Sequence, residues 1–190
     1  TRTTLSVGRY NLAGASVGNY ALFAGGRFAT FDEKNTVDAY DTSLTHSTPT
    51  VLSVARHLLA GASVGNYALF AGGYGDSSYS NRVDAYDASL TRSTPTALSV
   101  ARQWLAGASV GDYALFAGGS SGSSRYRNAV DAYNTSLTRS TPTALSVGRR
   151  ELAGASIGDY ALFAGGYSGS LSNTVDAYDT SLTRSTPTTL

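Results

Sequence analysis

The sequence predicts an all-β fold assembled from four copies of one four-stranded unit. Three observations carry that reading. The stretch LAGASVGNYALFAGG at 12–26 returns almost unchanged at 59–73, 105–119 and 152–166. The copies start 47, 46 and 47 residues apart, a spacing that belongs to repeat architectures. Within each copy, short runs alternating large and small side chains are separated by Gly, Asn, Asp and Pro, the pattern of strands and turns.

Taken in order, residues 1–8 (TRTTLSVG) match the tail of a unit, the end of an outer strand; TPTALSVG at 141–148 is the comparison. Units then run 9–55, 56–101, 102–148 and 149–190, as one domain without a linker. The first segment, LAGASVG, is nearly all small side chains (Ala13, Gly14, Ala15, Ser16). Strands crowded around a common axis need small residues, so this segment is placed innermost. Gly18-Asn19 and its counterparts Gly65-Asn66, Gly111-Asp112 and Gly158-Asp159 suit a tight antiparallel hairpin into the second strand. That strand, YALFA, ends at a Gly-Gly pair. TVDAYD is the third and closes in a DTSL turn. The two middle strands carry Phe23, Tyr40 and their repeats. Burying one such ring contributes roughly 1.5–3 kcal/mol, and a lone unit can bury few, so stability is expected from neighbouring units. The fourth segment, LTRSTPTAL, holds every Pro: Pro49, Pro95, Pro142 and Pro187. Proline cannot donate to a ladder, which places this segment at the outer edge. Four sequential strands in about 46 residues make one blade of a β-propeller. The predicted fold is therefore an all-β propeller unit of four four-stranded blades.

Composition bounds the function. The 190 residues are 42% apolar, enough to bury a core and too many for intrinsic disorder. Charged residues are 14% and the net charge is +1, without the clustered positive charge that nucleic acid binding needs. No apolar run approaches the roughly 18 residues of a membrane span. No signal-peptide pattern opens the chain, which begins at Thr1 and contains no Met; a leader or upstream segment is expected to have been removed or left out. The absence of Cys excludes disulfides, thiolate metal sites and Cys nucleophiles. Few Lys and Glu beside many Ser, Thr, Gly and Tyr lean towards an extracellular bacterial protein.

The repeated FAGG (23–26, 70–73, 116–119, 163–166), the later Tyr40, Tyr86, Tyr133 and Tyr178, and the opening Arg9, Arg56, Arg102 and Arg149 resemble the kelch repeat over essentially the whole chain. The resemblance implies a kelch-type propeller. One departure stands out: kelch units usually carry a Trp on the outer strand, where this chain has His46-Ser47 or Arg-Ser (Arg92, Arg139, Arg184). Packing at the rim is expected to differ, and kelch propellers generally have more than four blades.

The copies differ in two places. One is the connection after Gly-Gly: RFATFDEKNT (27–36), YGDSSYSNR (74–82), SSGSSRYRNA (120–129) and YSGSLSNT (167–174). The other is the pair after the opening Arg: Tyr10-Asn11, His57-Leu58, Gln103-Trp104 and Arg150-Glu151. In an up-down-up-down blade both connections emerge at one end, so the variable sets are expected to share a face. Eight of 13 Tyr and four of six Phe are repeated blade residues, and every other aromatic falls in these segments. Tyr10, Phe28, Phe31, Tyr74, Tyr79, Trp104, Tyr126 and Tyr167 are therefore the candidate ligand anchors, with His57 beside them. Rigid aromatics among Ser, Gly and Asn are what adaptable recognition surfaces use.

Chemistry of other kinds finds little support. His46 and His57 sit at different places in the unit and make no metal set; each reads as a surface residue. Kelch-type copper oxidases offer no matching ligand cluster, and their Cys is absent. Asp38, Asp84, Asp131 and Asp176 recur once per unit, which indicates a structural hydrogen bond in place of a catalytic acid. The opening Arg residues are expected to tie blade ends together. Asp32-Glu33 and Asp76 lack the several oxygen ligands of a Ca²⁺ site and read as solvated loop charges. Asn134-Thr135-Ser136 fits a glycosylation sequon but replaces an Asp in a turn. The Gly-Gly pairs are strand terminators, with no helix or Lys-Ser/Thr after them.

The expected function is a non-enzymatic binding module, without metal or cofactor, whose variable face takes a protein or a surface glycan. A self-assembling scaffold of recently amplified or engineered blades is the alternative. Closure stays open: four blades can close alone, two chains can pair into an eight-bladed ring, or the chain can be part of a longer propeller. The duplicated ends, 1–5 and 186–190, fit all three, and the width of kelch-like blades favours the homodimer.

Overall fold

The computed structural model describes residues 4–29, 32–122 and 125–187. The chain is all-β, and four four-stranded antiparallel sheets follow one another along it. The first holds β1 (Ala13–Val17), β2 (Tyr20–Ala24), β3 (Val37–Tyr40) and β4 (His46–Ser47). The second holds β5 (Ala60–Val64), β6 (Tyr67–Ala71), β9 (Val83–Asp87) and β10 (Arg92–Ser93). A small hairpin, β7 (Tyr74–Gly75) with β8 (Ser78–Tyr79), interrupts it. The third holds β11 (Ala106–Val110), β12 (Tyr113–Ala117), β13 (Val130–Asn134) and β14 (Arg139–Ser140). The fourth holds β15 (Ala153–Ile157), β16 (Tyr160–Ala164), β17 (Val175–Asp179) and β18 (Arg184–Ser185). Each sheet is a meander in sequence order. Among the described residues no helix is long and apolar enough to cross a membrane.

The local chemistry explains the strands. Val17 pairs with Tyr20 across the two-residue Gly18-Asn19 turn, whose first position takes φ 51°, cheap for glycine. At the other end of the meander, Asp41 Oδ1 accepts the Ser43 and Thr45 amides at 2.9 and 2.8 Å, a turn that Asp87, Asn134 and Asp179 rebuild.

The small first strands let the sheets converge: β1, β5, β11 and β15 lie side by side in chain order. Contact there is backbone against backbone. A Cβ placed on Gly61, Gly107 or Gly154 would run into the carbonyl oxygen of Gly14, Gly61 or Gly107, one sheet earlier. Further out, the sheets stack face to face. Leu22, Ala24, Val37 and Ala39 of the first sheet share a core with Phe70 and Tyr86 of the second. The same set recurs at the next two junctions. Phe70 and Tyr86 meet edge to face with ring centroids 6.0 Å apart, as do their repeats.

The fourth strand is shorter than the sequence pattern predicts. Only two residues pair, and the strand stops two residues before the proline. The remaining TPTALSV stretch crosses to the next sheet. Leu52, Leu98 and Leu145 are buried there, and the Tyr86, Tyr133 and Tyr178 hydroxyls donate to the Thr50, Thr96 and Thr143 carbonyls at 2.7–2.8 Å. Residues 4–8, expected as the tail of an outer strand, form none; the Ser6 amide instead donates to Asp38 Oδ1 at 2.9 Å.

Each sheet also encloses an ion pair. Arg56, Arg102 and Arg149 are fully buried and lie 2.8–2.9 Å from Asp84, Asp131 and Asp176; Arg9 and Asp38 repeat the pair at 2.6 Å. A buried guanidinium must fill its remaining donors. The terminal nitrogens do so on nearby carbonyls: Arg56 Nη2 donates to the Phe70 carbonyl at 3.0 Å and Nη1 to the Val54 carbonyl at 3.3 Å, while the Nε of Arg56, Arg102 and Arg149 is buried without a hydrogen-bond partner. The other carboxylate oxygen takes the rim cation, Arg92, Arg139 or Arg184, at 3.0–3.4 Å. In the first sheet His46 Nε2 takes that place at 2.5 Å from Asp38 Oδ1, so His46 is part of a buried network and not a plain surface residue. Burial works against ionisation of Asp38 and Asp176. Hydrogen bonds outweigh it, from His46 and Ser6 on Asp38 and from Ser146 and Arg149 on Asp176, and hold both carboxyls below the ordinary range.

Candidate functional site

The two variable sets are joined through their backbones. The first residue of each variable pair bridges the residue just after Gly-Gly: Tyr10 with Arg27, His57 with Tyr74, Gln103 with Ser120 and Arg150 with Tyr167. Each bridge is closed by two hydrogen bonds of 2.8–3.1 Å. The second loop strand then folds back on the first, pairing Arg27 with Glu33, Ser120 with Tyr126 and Tyr167 with Leu171. The loops differ in sequence yet leave the frame by one route.

The second residue of each pair sits where the sheets converge. Asn11, Leu58, Trp104 and Glu151 all take left-handed φ values of 56–57°. That conformation costs roughly 1–2 kcal/mol for an ordinary L-residue. A backbone ladder holds it: the Leu58 amide donates to the Asn11 carbonyl, Trp104 to Leu58 and Glu151 to Trp104, at 2.9–3.0 Å. Their side chains rim a shallow cavity of about 260 Å³ floored by Leu12, Leu59, Leu105 and Leu152. The backbone is thus fixed where the side chain is free to change.

Two aromatic clusters stand on this frame. In one, the Arg150 guanidinium lies over Trp104, Tyr167 and Tyr126, with 4.8, 5.4 and 5.8 Å from its carbon to the ring centroids. Tyr126 and Tyr167 meet edge to face at 5.6 Å. In the other, His57, Tyr74 and Tyr79 meet edge to face in series, with ring centroids 5.9 and 5.4 Å apart. They line a cavity of about 350 Å³ with Arg27, Glu33 and Trp104. Trp104 borders both clusters.

Of the residues singled out from sequence, His57, Tyr74, Tyr79, Trp104, Tyr126 and Tyr167 come together in this way. Tyr10 is exposed beneath the Arg27 guanidinium, 4.9 Å away, and Phe28 stands exposed in its loop. Phe31 lies outside the described residues. His57 is not the surface residue its sequence context suggests: it is 4% exposed. Burial and then the Arg27 charge push its pKa below the ordinary histidine range, against the pull of Glu33, so the ring is neutral at pH 7. Its Nδ1 faces Glu33 at 3.7 Å, beyond hydrogen-bond reach. Asp32 is paired with Lys34 at 2.7 Å. Two residues that aromatic counting misses are Arg27 and Arg150. Their signal was present: each is a cation inside a variable segment, Arg27 next to Phe28 and Arg150 at the position that Tyr10 and His57 hold in other units.

Among the described residues no group of three or more His, Asp or Glu is placed to hold a metal ion. No protein-family model matches the chain, and no curated protein is similar to it.

Proposed function

We infer that the chain is a kelch-like β-propeller module that binds a protein or a glycan through its variable loop face, without catalysing a reaction. The observation that carries this reading is the platform of Trp104, Tyr126 and Tyr167 under Arg150. All four residues belong to segments that change from unit to unit, while the frame beneath them does not. Half-buried rings held by a guanidinium offer large contact area at low ordering cost, the property of an anchor. The four-sheet meander with small inner strands, double glycines and opening arginines supports the propeller and its kelch-like character. The recurring carboxylates support a non-enzymatic role, since each is occupied by an internal arginine.

The test is a glycan array and a surface-protein binding screen, run with the parent chain and with Trp104→Ala/Tyr126→Ala. A ligand bound by the parent should lose at least tenfold in affinity to the double variant, while circular dichroism stays unchanged. Equal affinity of both proteins would place binding elsewhere and overturn this reading.

A further inference from the structure

The three junctions between sheets are one interface repeated, and the two halves of a fourth stand uncovered. On the leading side of the first sheet, Phe23 is 36% exposed, whereas Phe70, Phe116 and Phe163 are 0%. It lines an apolar depression of about 570 Å³ with Leu5, Leu12, Gly14 and Tyr40. On the trailing side of the last sheet, Ile157 is 67% exposed, whereas its counterparts Val17, Val64 and Val110 are 2–3%. All five residues of β15 are exposed.

Polar ladders stop at the same two faces. In the inner strands, the amides of Ser16, Ser63 and Ser109 donate to the hydroxyls of Ser63, Ser109 and Ser156, one sheet further on, at 2.9–3.2 Å. The hydroxyls of Ser63 and Ser109 donate back to the preceding carbonyls, Ser16 and Ser63. The ladder that begins at Asn11 ends at the Glu151 carbonyl. A third runs from the Gly26, Gly73 and Gly119 amides to the Arg56, Arg102 and Arg149 carbonyls, each at 2.9 Å, and Gly166 is the next position in the series. The group at which each of these three ladders stops on the trailing face has its complement on the leading face: Ser156 with Ser16, Glu151 with Asn11, Gly166 with Arg9.

We propose that the trailing face of one copy docks on the leading face of a second copy, rebuilding the internal junction, and that two copies joined reciprocally close a ring of eight sheets. The two faces complement each other and neither complements itself, so the contact is head-to-tail. Continuity with three existing junctions names the occupant. The apolar halves match in chemistry, and all three ladders resume in the correct donor-to-acceptor direction. This assembly is independent of the loop-face reading, because the docking faces share no anchor residue with it.

Gly14 supplies the sharpest test. Within the chain a Cβ there meets the Phe23 ring at 3.6 Å and the Leu22 carbonyl oxygen at 3.8 Å, both ordinary contacts. In the docked pair it would meet the partner's Gly154 carbonyl, as Gly61 meets Gly14. Light scattering of the 190-residue chain over a concentration series should give about twice 19.7 kDa. Gly14→Ala and Ile157→Arg should each return the mass to that of one chain with the circular dichroism spectrum intact. An equimolar mixture of the two should regain the doubled mass, through the one junction left whole. A parent chain that stays at its own mass across the series overturns the proposal. So does a dimer that survives Gly14→Ala, or one broken by only one of the two substitutions, which is the signature of a symmetric contact.

Discussion

Replacing Arg149 by Met tests whether the repeated ion pair holds each sheet together. Arg149 Nη1 lies 2.8 Å from Asp176 Oδ2, and Nη2 donates to the Phe163 carbonyl at 2.8 Å, with both charged side chains fully buried. Removing one partner of a buried pair costs about 3–5 kcal/mol, because the other charge stays behind. Asp176 keeps Arg184 and the Ser146 amide, both at 3.0 Å, which puts the expected loss near the lower end, about 3 kcal/mol. At roughly 2–4 °C per kcal/mol for a chain of this size, the melting temperature should fall by about 6–12 °C. Thermal unfolding followed by circular dichroism reads this directly. The deficit should shrink as pH drops towards the carboxylate range, since a protonated Asp176 no longer needs the arginine. Arg149→Met/Asp176→Leu should be more stable than the single variant. A loss below about 1 kcal/mol, the worth of an exposed pair, would refute the view that the pair is desolvated.

Three further outcomes are expected. Gly107→Ala should destabilise by about 1–3 kcal/mol, because its methyl meets the Gly61 backbone, which cannot swing aside; Gly8→Ala, which meets nothing, should stay within about 0.5 kcal/mol, and equal effects on unfolding in urea would dismiss the close-approach argument. Asp38 and Asp176 are held below the ordinary aspartate pKa of 3.8, so their stabilisation is complete above that pH and is lost as pH falls through the folded values; a melting temperature flat from about pH 6 to pH 2 would contradict it. Tyr133→Phe removes a 2.7 Å hydrogen bond to the Thr96 carbonyl and should cost about 1 kcal/mol in chemical denaturation, with no change in oligomeric state.

Much of the architecture is legible in the sequence because it is written four times. Alternation and the Gly-Asn hairpin locate the first three strands of each unit, and the small residues of β1 locate the convergence of the sheets, whereas the prolines fall outside the short fourth strand. The crossover of TPTALSV is not legible, since Thr-rich alternation looks the same in a ladder and in a strap laid across the next sheet. Only Leu52 buried on a neighbour, and Tyr86 reaching Thr50, distinguish the two. In the candidate site, comparing the copies locates the face but not its depth. His57 packs on Tyr74 and shares a cavity with Arg27 and Glu33, which arrive from two other segments, so nothing local announces its burial. The left-handed conformation at Leu58, Trp104 and Glu151 is equally silent, because sequence signals for positive φ are Gly and Asn, and only Asn11 provides one.

The sameness of the junctions has a consequence at the level of the gene. Recombination that gains or loses one whole period joins a trailing face to a leading face wherever it occurs, so the protein acquires no mismatched seam. Loop segments enter and leave that frame through identical backbone bridges, and each travels with its unit as a cassette. A chain of this kind can change its loop surface in steps of a full repeat without compensating changes in the core.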